Sequence, residues 1–123
     1  MGFEQRKFKR AKFEYEILYP TVLFKNDKKT FYDNVKMFTS DISEAGICLI
    51  SSFYIPTDSF VSFYLRIDDN LPFKVLVKIR WNKLTGGYFT CGGEFIGLRL
   101  EEIYKIRKFI DKCTQLENIG HPS

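Results

Sequence analysis

The sequence predicts a mainly β protein, a six-stranded antiparallel (split) β-barrel followed by a C-terminal α-helix. Apolar and polar residues alternate with a period of two in several short stretches, as they do along half-buried strands. Clusters of Gly, Pro, Asn and Asp separate these stretches at short intervals, which is typical of antiparallel sheets and barrels. The period changes to three and four residues only near the C-terminus, which indicates one amphipathic helix.

The length and composition indicate one domain. A chain of 123 residues with 45% hydrophobic content can build one core but is too short for two. We divide it into a basic arm (residues 1–10), a barrel (11–98), the helix (99–117) and a disordered tail (118–123). There is no long apolar run, and no apolar segment follows the N-terminal charges, so we expect no membrane span, no secretory signal and a cytoplasmic location.

Three strands are predicted in the first half of the chain. Residues 11–24 alternate aromatic and β-branched residues with charged ones, and Pro20 is expected to bend this strand or to mark an edge. A polar turn at 25–29 leads into a second strand at 30–39. The third strand, 46–51, follows a group of turn-forming residues that begins at Asp41.

Three further strands are predicted at 60–67, 73–81 and 88–96, separated by an Asp-Asp-Asn loop and a Gly-Gly turn. The alternation is clearest in the second of them. Four of five alternating residues are expected to face the core there, from the set Phe73, Val75, Val77, Ile79 and Trp81.

The predicted helix has an apolar stripe and charges that suit its dipole. The stripe recurs at intervals of three and four residues, through Leu100, Ile103, Ile106, Ile110 and Cys113. Glu101 and Glu102 lie in the first turn, where negative charge is favourable. No strong N-cap residue precedes the helix, so its start is fixed only to within a few residues.

The net positive charge of the chain lies in its first twelve residues, which comprise the arm and the start of the first predicted strand. The net charge is +4, and residues 1–12 hold five basic residues and one acidic residue, while the rest of the chain is balanced. A basic segment on a neutral body indicates an anionic partner that docks locally.

Two polar motifs are suited to such a partner. Arg6 and Arg10 stand four residues apart, and the arginine fork matches both phosphate oxygens and the O6/N7 edge of guanine. In the segment 41–46, Asp41 can accept from guanine N–H groups, Ser43 can donate or accept, and Gly46 permits close backbone approach or positive φ. The alternative for Asp41 and Ser43 is a turn that caps its own loop and binds nothing.

Together, Arg-x-x-x-Arg and Asp-x-Ser-x-x-Gly, about thirty residues apart, resemble the PilZ domain of bacterial cyclic di-GMP receptors. The resemblance extends from about residue 4 to about residue 114. It implies that Arg6 and Arg10 grip phosphate and guanine, while Asp41, Ser43 and Gly46 surround one guanine on the barrel surface.

The resemblance also suggests two further ligand-binding candidates. The residue before the first arginine, here Gln5, varies within the family and influences whether one or two nucleotides bind. Gly93, in the run Gly93-Glu94-Phe95, resembles a position in a late strand of the family, where we interpret Phe95 as a core residue.

Nothing in the sequence indicates catalysis, a cofactor or a metal site. Ser43 has no histidine base nearby, since the only histidine, His121, lies in the tail, and no phosphate loop or metal-ligand spacing occurs. The three cysteines, Cys48, Cys91 and Cys113, are expected to be buried or half-buried apolar residues.

We therefore predict a stand-alone cyclic di-GMP receptor that signals through an unidentified downstream protein, in control of motility, biofilm or exopolysaccharide. One alternative is a barrel that binds single-stranded nucleic acid through its basic arm and surface aromatics such as Tyr88. The other alternative is a protein-interaction adaptor with the same fold and no ligand.

Overall fold

A computed structural model of the chain describes residues 8–32 and 35–120, the last four of them by backbone alone. These residues form one helix and a single antiparallel sheet of eight strands. The mainly β class with a C-terminal helix is thus confirmed. In chain order the elements are β1 (Ala11–Lys12), β2 (Thr21–Phe24), β3 (Asp27–Thr30), β4 (Met37–Ile42), β5 (Gly46–Ser51), β6 (Phe60–Leu65), β7 (Phe73–Thr85), β8 (Tyr88–Phe95) and α1 (Leu100–Gly120).

The sheet is barrel-like but open. Its strand order is β1-β4-β5-β8-β7-β6-β2-β3, so β1 and β3 are the two edges within the described part of the chain. The long strands β5, β8, β7 and β6 form its centre. One face of this curved sheet covers the core, and the other is turned outward.

The described residues form eight strands where six were predicted, because two predicted strands are interrupted. Residues 11–24 form β1, an isolated bridge from Glu16 to Phe38, and β2. The chain turns between them, where Tyr19 has a φ of 53° before Pro20. The predicted turn at 25–29 is shorter, since Lys25, with a φ of 57°, begins a tight connection and β3 starts at Asp27. The predicted strand 30–39 is therefore divided between β3 and β4.

The inner face of the sheet and one side of α1 enclose the core. On β7 the alternating residues Phe73, Val75, Val77 and Ile79 are buried, as the sequence predicted, and so is Phe95 on β8. The helix contributes Ile106 and Ile110 to the same cluster. It also packs edge-on against the segment after β1, through Phe109 and Phe13 with ring centroids 5.3 Å apart.

The helix begins where the sequence predicted, but its first turn differs in detail. Leu100 is 84% exposed, because it lies at the first helical position, before the helix reaches the core. Glu102 is buried instead. Its Oε1 accepts the Arg99 backbone N–H at 3.0 Å and its carboxylate pairs with the Arg99 guanidinium at 3.4 Å. Glu102 therefore supplies the reverse half of a capping box where Ser or Thr is missing.

The end of the helix corrects the predicted tail. Residues 118–120 are helical, whereas 121–123 lie outside the described residues. Among the described residues, the helix is too polar to span a membrane.

Candidate functional site

The turn between β4 and β5 is closed by Ser43. Its backbone N–H donates to the Gly46 carbonyl at 2.8 Å, and its Oγ accepts the N–H groups of Ala45 and Gly46 at 3.1 Å each. The residue is fully buried. Asp41, which was predicted to begin the turn, lies one residue before the end of β4. The turn therefore uses the Ser43 hydroxyl, as the self-capping interpretation of this motif expects.

Gly46 lies where two backbones come into close contact. It pairs with Glu94 across β5 and β8, and a Cβ at Gly46 would lie 2.2 Å from the carbonyl oxygen of Gly93. Positive φ is not the reason for this glycine, since it is not among the residues with positive φ. Gly46 and Gly93 are brought together, and the contact between them is one of backbone packing.

The two sequence motifs meet at Arg10. Its Nε donates to Asp41 Oδ1 at 2.5 Å and its Nη1 donates to Ser43 Oγ at 3.3 Å. The neighbouring residue Ala11 pairs with Ile42 in the short β1–β4 ladder, which positions Arg10 beside the rim. The side chains of Arg10 and Asp41 are 26% and 34% exposed, so the pair is half-buried and accessible from one side.

A row of outward-facing residues continues from Asp41 across the sheet. Asp41 pairs with Cys48, Cys48 with Gly92 and Gly92 with Trp81. A Cβ at Gly92 would lie 2.1 Å from Trp81 Nε1, so the half-buried indole lies against the glycine. Burial, reinforced by the Asp41 carboxylate, raises the pKa of the Cys48 thiol to about 11, so the thiol is protonated at neutral pH. The row therefore places the half-buried Trp81 ring on the same face as the Arg10–Asp41 pair, with Gly92 and the buried, neutral Cys48 between them.

Trp81 is a candidate that the sequence did not reveal. In a regular strand Trp81 would face the core, as Val77 and Ile79 do. The pairing of β7 with β8 shifts between Ile79 and Trp81, however. The bulge at Arg80 adds one residue, so Trp81 changes to the outer face. Arg80 is held on the same face by an ion pair with Glu94.

A second ion pair attaches the turn to the helix. Arg107 donates from Nε and Nη2 to the two carboxylate oxygens of Glu44, both at 2.9 Å. The Arg107 hydrogen bond lowers the pKa of the Glu44 carboxyl below its ordinary value. The two residues are 63 positions apart, and no local pattern in the sequence links them.

We expect the Glu44–Arg107 ion pair to make a small, pH-dependent contribution to stability. Because the folded pKa of Glu44 is lowered, its contribution is present above the unfolded pKa and is lost as the pH falls through the folded one. Glu44→Gln should cost about 0.5 kcal/mol of unfolding free energy at neutral pH, as measured by urea denaturation, since solvent screens a pair whose Arg107 side chain is exposed. The difference should shrink as the pH falls through the folded pKa of Glu44, because the carboxyl is then protonated in both states. A difference that does not shrink in acid, or an equal cost in an Arg107→Gln background, would contradict it.

Two candidates from the sequence, Arg6 and Gln5, lie outside the described residues. Of the five others, Arg10, Asp41 and Ser43 form one hydrogen-bonded group, and Gly46 and Gly93 pack beneath its turn. No cluster of metal-ligating side chains occurs in the described part of the chain. The expected burial of the cysteines is confirmed, since Cys48 and Cys91 are buried and Cys113 is half-buried.

Comparison with known proteins identifies the family of the chain. A search of the curated proteins found no match. A family model, that of the PilZ domain, matches residues 4–112. The match includes both arginines of the arm, the whole rim from Asp41 to Gly46, and the row that ends at Trp81. The chain therefore belongs to the PilZ domain family, a family of cyclic di-GMP receptors.

Proposed function

We propose that this protein binds cyclic di-GMP between the Arg-x-x-x-Arg arm, with Arg6 and Arg10, and the rim formed by Asp41, Ser43 and Gly46. The proposal rests on the hydrogen bonds that Arg10 donates to Asp41 and Ser43, which lie 31 and 33 residues further along the chain. These bonds join the two sequence motifs. A ligand at this point can contact both motifs at once.

The chemistry of the rim suits a guanine nucleotide. Ion pairing with Asp41 and bonding to Ser43 hold the Arg10 guanidinium in one orientation, so less side-chain entropy is lost when it binds an anion. The guanidinium can then face a phosphate or the O6/N7 edge of guanine. The Trp81 indole, in the same row as Asp41, gives a base a ring on which to stack.

Asp41 has two tasks in this proposal. Its Oδ1 orients Arg10, and its carboxylate also offers acceptors to guanine N1–H and N2–H₂, which adenine lacks. Ser43 keeps the turn closed and Gly46 keeps β5 against β8, so both support the rim from beneath.

Nucleotide preference tests this assignment. Calorimetry should show that the wild-type protein binds cyclic di-GMP at least about tenfold more tightly than cyclic di-AMP, because unpaired buried polar groups cost about 1–3 kcal/mol. Asp41→Asn, which keeps the size and loses the charge, should weaken cyclic di-GMP binding and reduce the preference. Equal affinity for the two nucleotides would mean that only phosphate charge is recognised.

The signal passes, in this proposal, to a downstream protein in the cytoplasm, and the protein itself has no catalytic role. The processes expected to be regulated are motility, biofilm formation or exopolysaccharide production. If the wild-type protein does not bind cyclic di-GMP in the same calorimetric experiment, the proposal is wrong. The protein-interaction adaptor without a ligand is then the favoured function.

A further inference from the structure

The outer face of the sheet carries an apolar stripe at some distance from the rim. Leu23 pairs with Phe60 across β2 and β6, Ser62 pairs with Leu76 across β6 and β7, and Ile96 donates its N–H to the Leu76 carbonyl. The residues between them in each strand, such as Val61 and Val77, face the core. The outward residues of an antiparallel sheet with one solvated face are ordinarily polar. The stripe departs from that rule over three adjacent strands.

These outward side chains are accessible. Leu76 and Ile96 are each 37% exposed, Leu23 is 39% exposed and Tyr64 is 61% exposed. Tyr64 and Lys74, a cross-strand pair of β6 and β7, each line a depression. The one at Tyr64 has a volume of about 450 Å³, and the one at Lys74, which Leu76 and Ile96 also line, about 370 Å³. We call the stripe the open sheet face, and define it by Leu23, Phe60, Tyr64, Leu76 and Ile96.

The open sheet face is bordered by lysines. Lys28 pairs with Leu23, Lys78 with Phe60 and Lys74 with Tyr64, so each lysine stands beside an apolar member of the stripe. Among the described residues none of the three forms a salt bridge, and Lys78 Nζ lies 5.7 Å from the Phe60 ring centroid.

Two carboxylates beside the stripe are already paired with arginines. Glu94, beside Lys78 on β8, is paired with Arg80, and Glu102, which lines the smaller depression, is paired with Arg99. The face therefore combines apolar surface with three lysines that form no salt bridge among the described residues.

We infer that the open sheet face is a docking surface for an acidic, amphipathic segment of another protein. Apolar side chains of that segment fill the two depressions, while its Asp and Glu side chains pair with Lys28, Lys74 and Lys78. Charge complementarity selects the partner and apolar burial supplies the affinity. The inference does not depend on nucleotide binding at the rim.

A nucleic acid is the poorer occupant for this face. Bases bind such sheets by stacking on successive aromatic rings, but three of the five stripe residues, Leu23, Leu76 and Ile96, are aliphatic. Aliphatic side chains fit the apolar residues of a peptide instead.

Selection from a random peptide library displayed on phage tests the inference. The full chain without nucleotide is the bait. Peptides that also bind the Leu76→Glu variant are removed from the selection. Enriched peptides should contain Asp or Glu interspersed with apolar residues. A synthetic copy of such a peptide should bind the wild-type protein. It should bind the double variant Lys74→Glu/Lys78→Glu at least about tenfold more weakly, since lost charge pairs and repulsion each weaken binding. It should bind the control variant Leu84→Glu as tightly as the wild type. Leu84 is 66% exposed and is not part of the face.

Hydrogen exchange adds a second measurement, in which the bound peptide should protect amides of β2, β6 and β7. Circular dichroism establishes that each variant is folded. Enriched peptides without acidic residues, equal binding to the lysine variants, or protection confined to other strands would overturn the inference. Displacement of the peptide by oligo(dT), or a wild-type dimer that dissociates in Leu76→Glu, would overturn it in favour of a nucleic acid or of a second copy.

Discussion

Replacing Arg10 by alanine is expected to weaken cyclic di-GMP binding by about tenfold to a hundredfold, the value of one or two charge-assisted hydrogen bonds. The guanidinium is the only group seen to contact both Asp41 and Ser43 in the described part of the chain. In the proposed complex, its loss removes a donor to the ligand and leaves the Asp41 carboxylate without its cationic partner. Isothermal calorimetry measures the affinity directly.

Two controls separate charge and geometry from stability. Arg10→Lys keeps the charge but loses the planar fork, so it should recover only part of the lost affinity. Arg66→Ala removes an exposed arginine at the end of β6 and should leave binding unchanged. The unfolding free energy should change by less than about 1 kcal/mol in Arg10→Ala, because the ion pair is half-exposed. Unchanged affinity in Arg10→Ala would refute the site.

The central strands and the helix could be predicted because their signals are local. A period of two over Phe73–Ile79 and a period of three and four over Ile103–Ile110 follow directly from backbone geometry. The strand β1 lies within the predicted strand 11–24, but its separation from β2 was not predicted, because its two residues are held by pairing with the distant β4. The strand β3 was not predicted either, because its sequence is polar and its extended form depends on pairing with β2.

Local patterns also predicted the positions of the site residues better than their contacts. Ser43 and Gly46 were recognisable as turn and close-approach residues, which the structure shows. The change of face at Trp81 could not be predicted, since a bulge depends on pairing with β8, and neither could the Glu44–Arg107 pair, which joins a turn to a helix. Both are consequences of tertiary packing that leave no period in the sequence.

Replacing Gly46 by alanine is expected to destabilise the fold by about 3 kcal/mol, near the upper end for overpacking. The new Cβ would lie 2.2 Å from the Gly93 carbonyl oxygen, which is backbone and cannot rotate away. Relief therefore requires β5 and β8 to separate at a central pair of the sheet. Thermal denaturation should show a melting temperature lower by about 10 °C.

Gly86→Asn is the matched control for this substitution. Gly86 has a φ of +58° and open space around its Cβ position, in the tight turn between β7 and β8. Asn tolerates that conformation and is favoured in such turns, so this variant should stay within about 0.5 kcal/mol of the wild type. If Gly46→Ala were equally stable but bound cyclic di-GMP weakly, the glycine would serve the ligand and not the β5–β8 contact. If the variant is destabilised and its folded fraction retains near-normal affinity, Gly46 acts by holding the rim together.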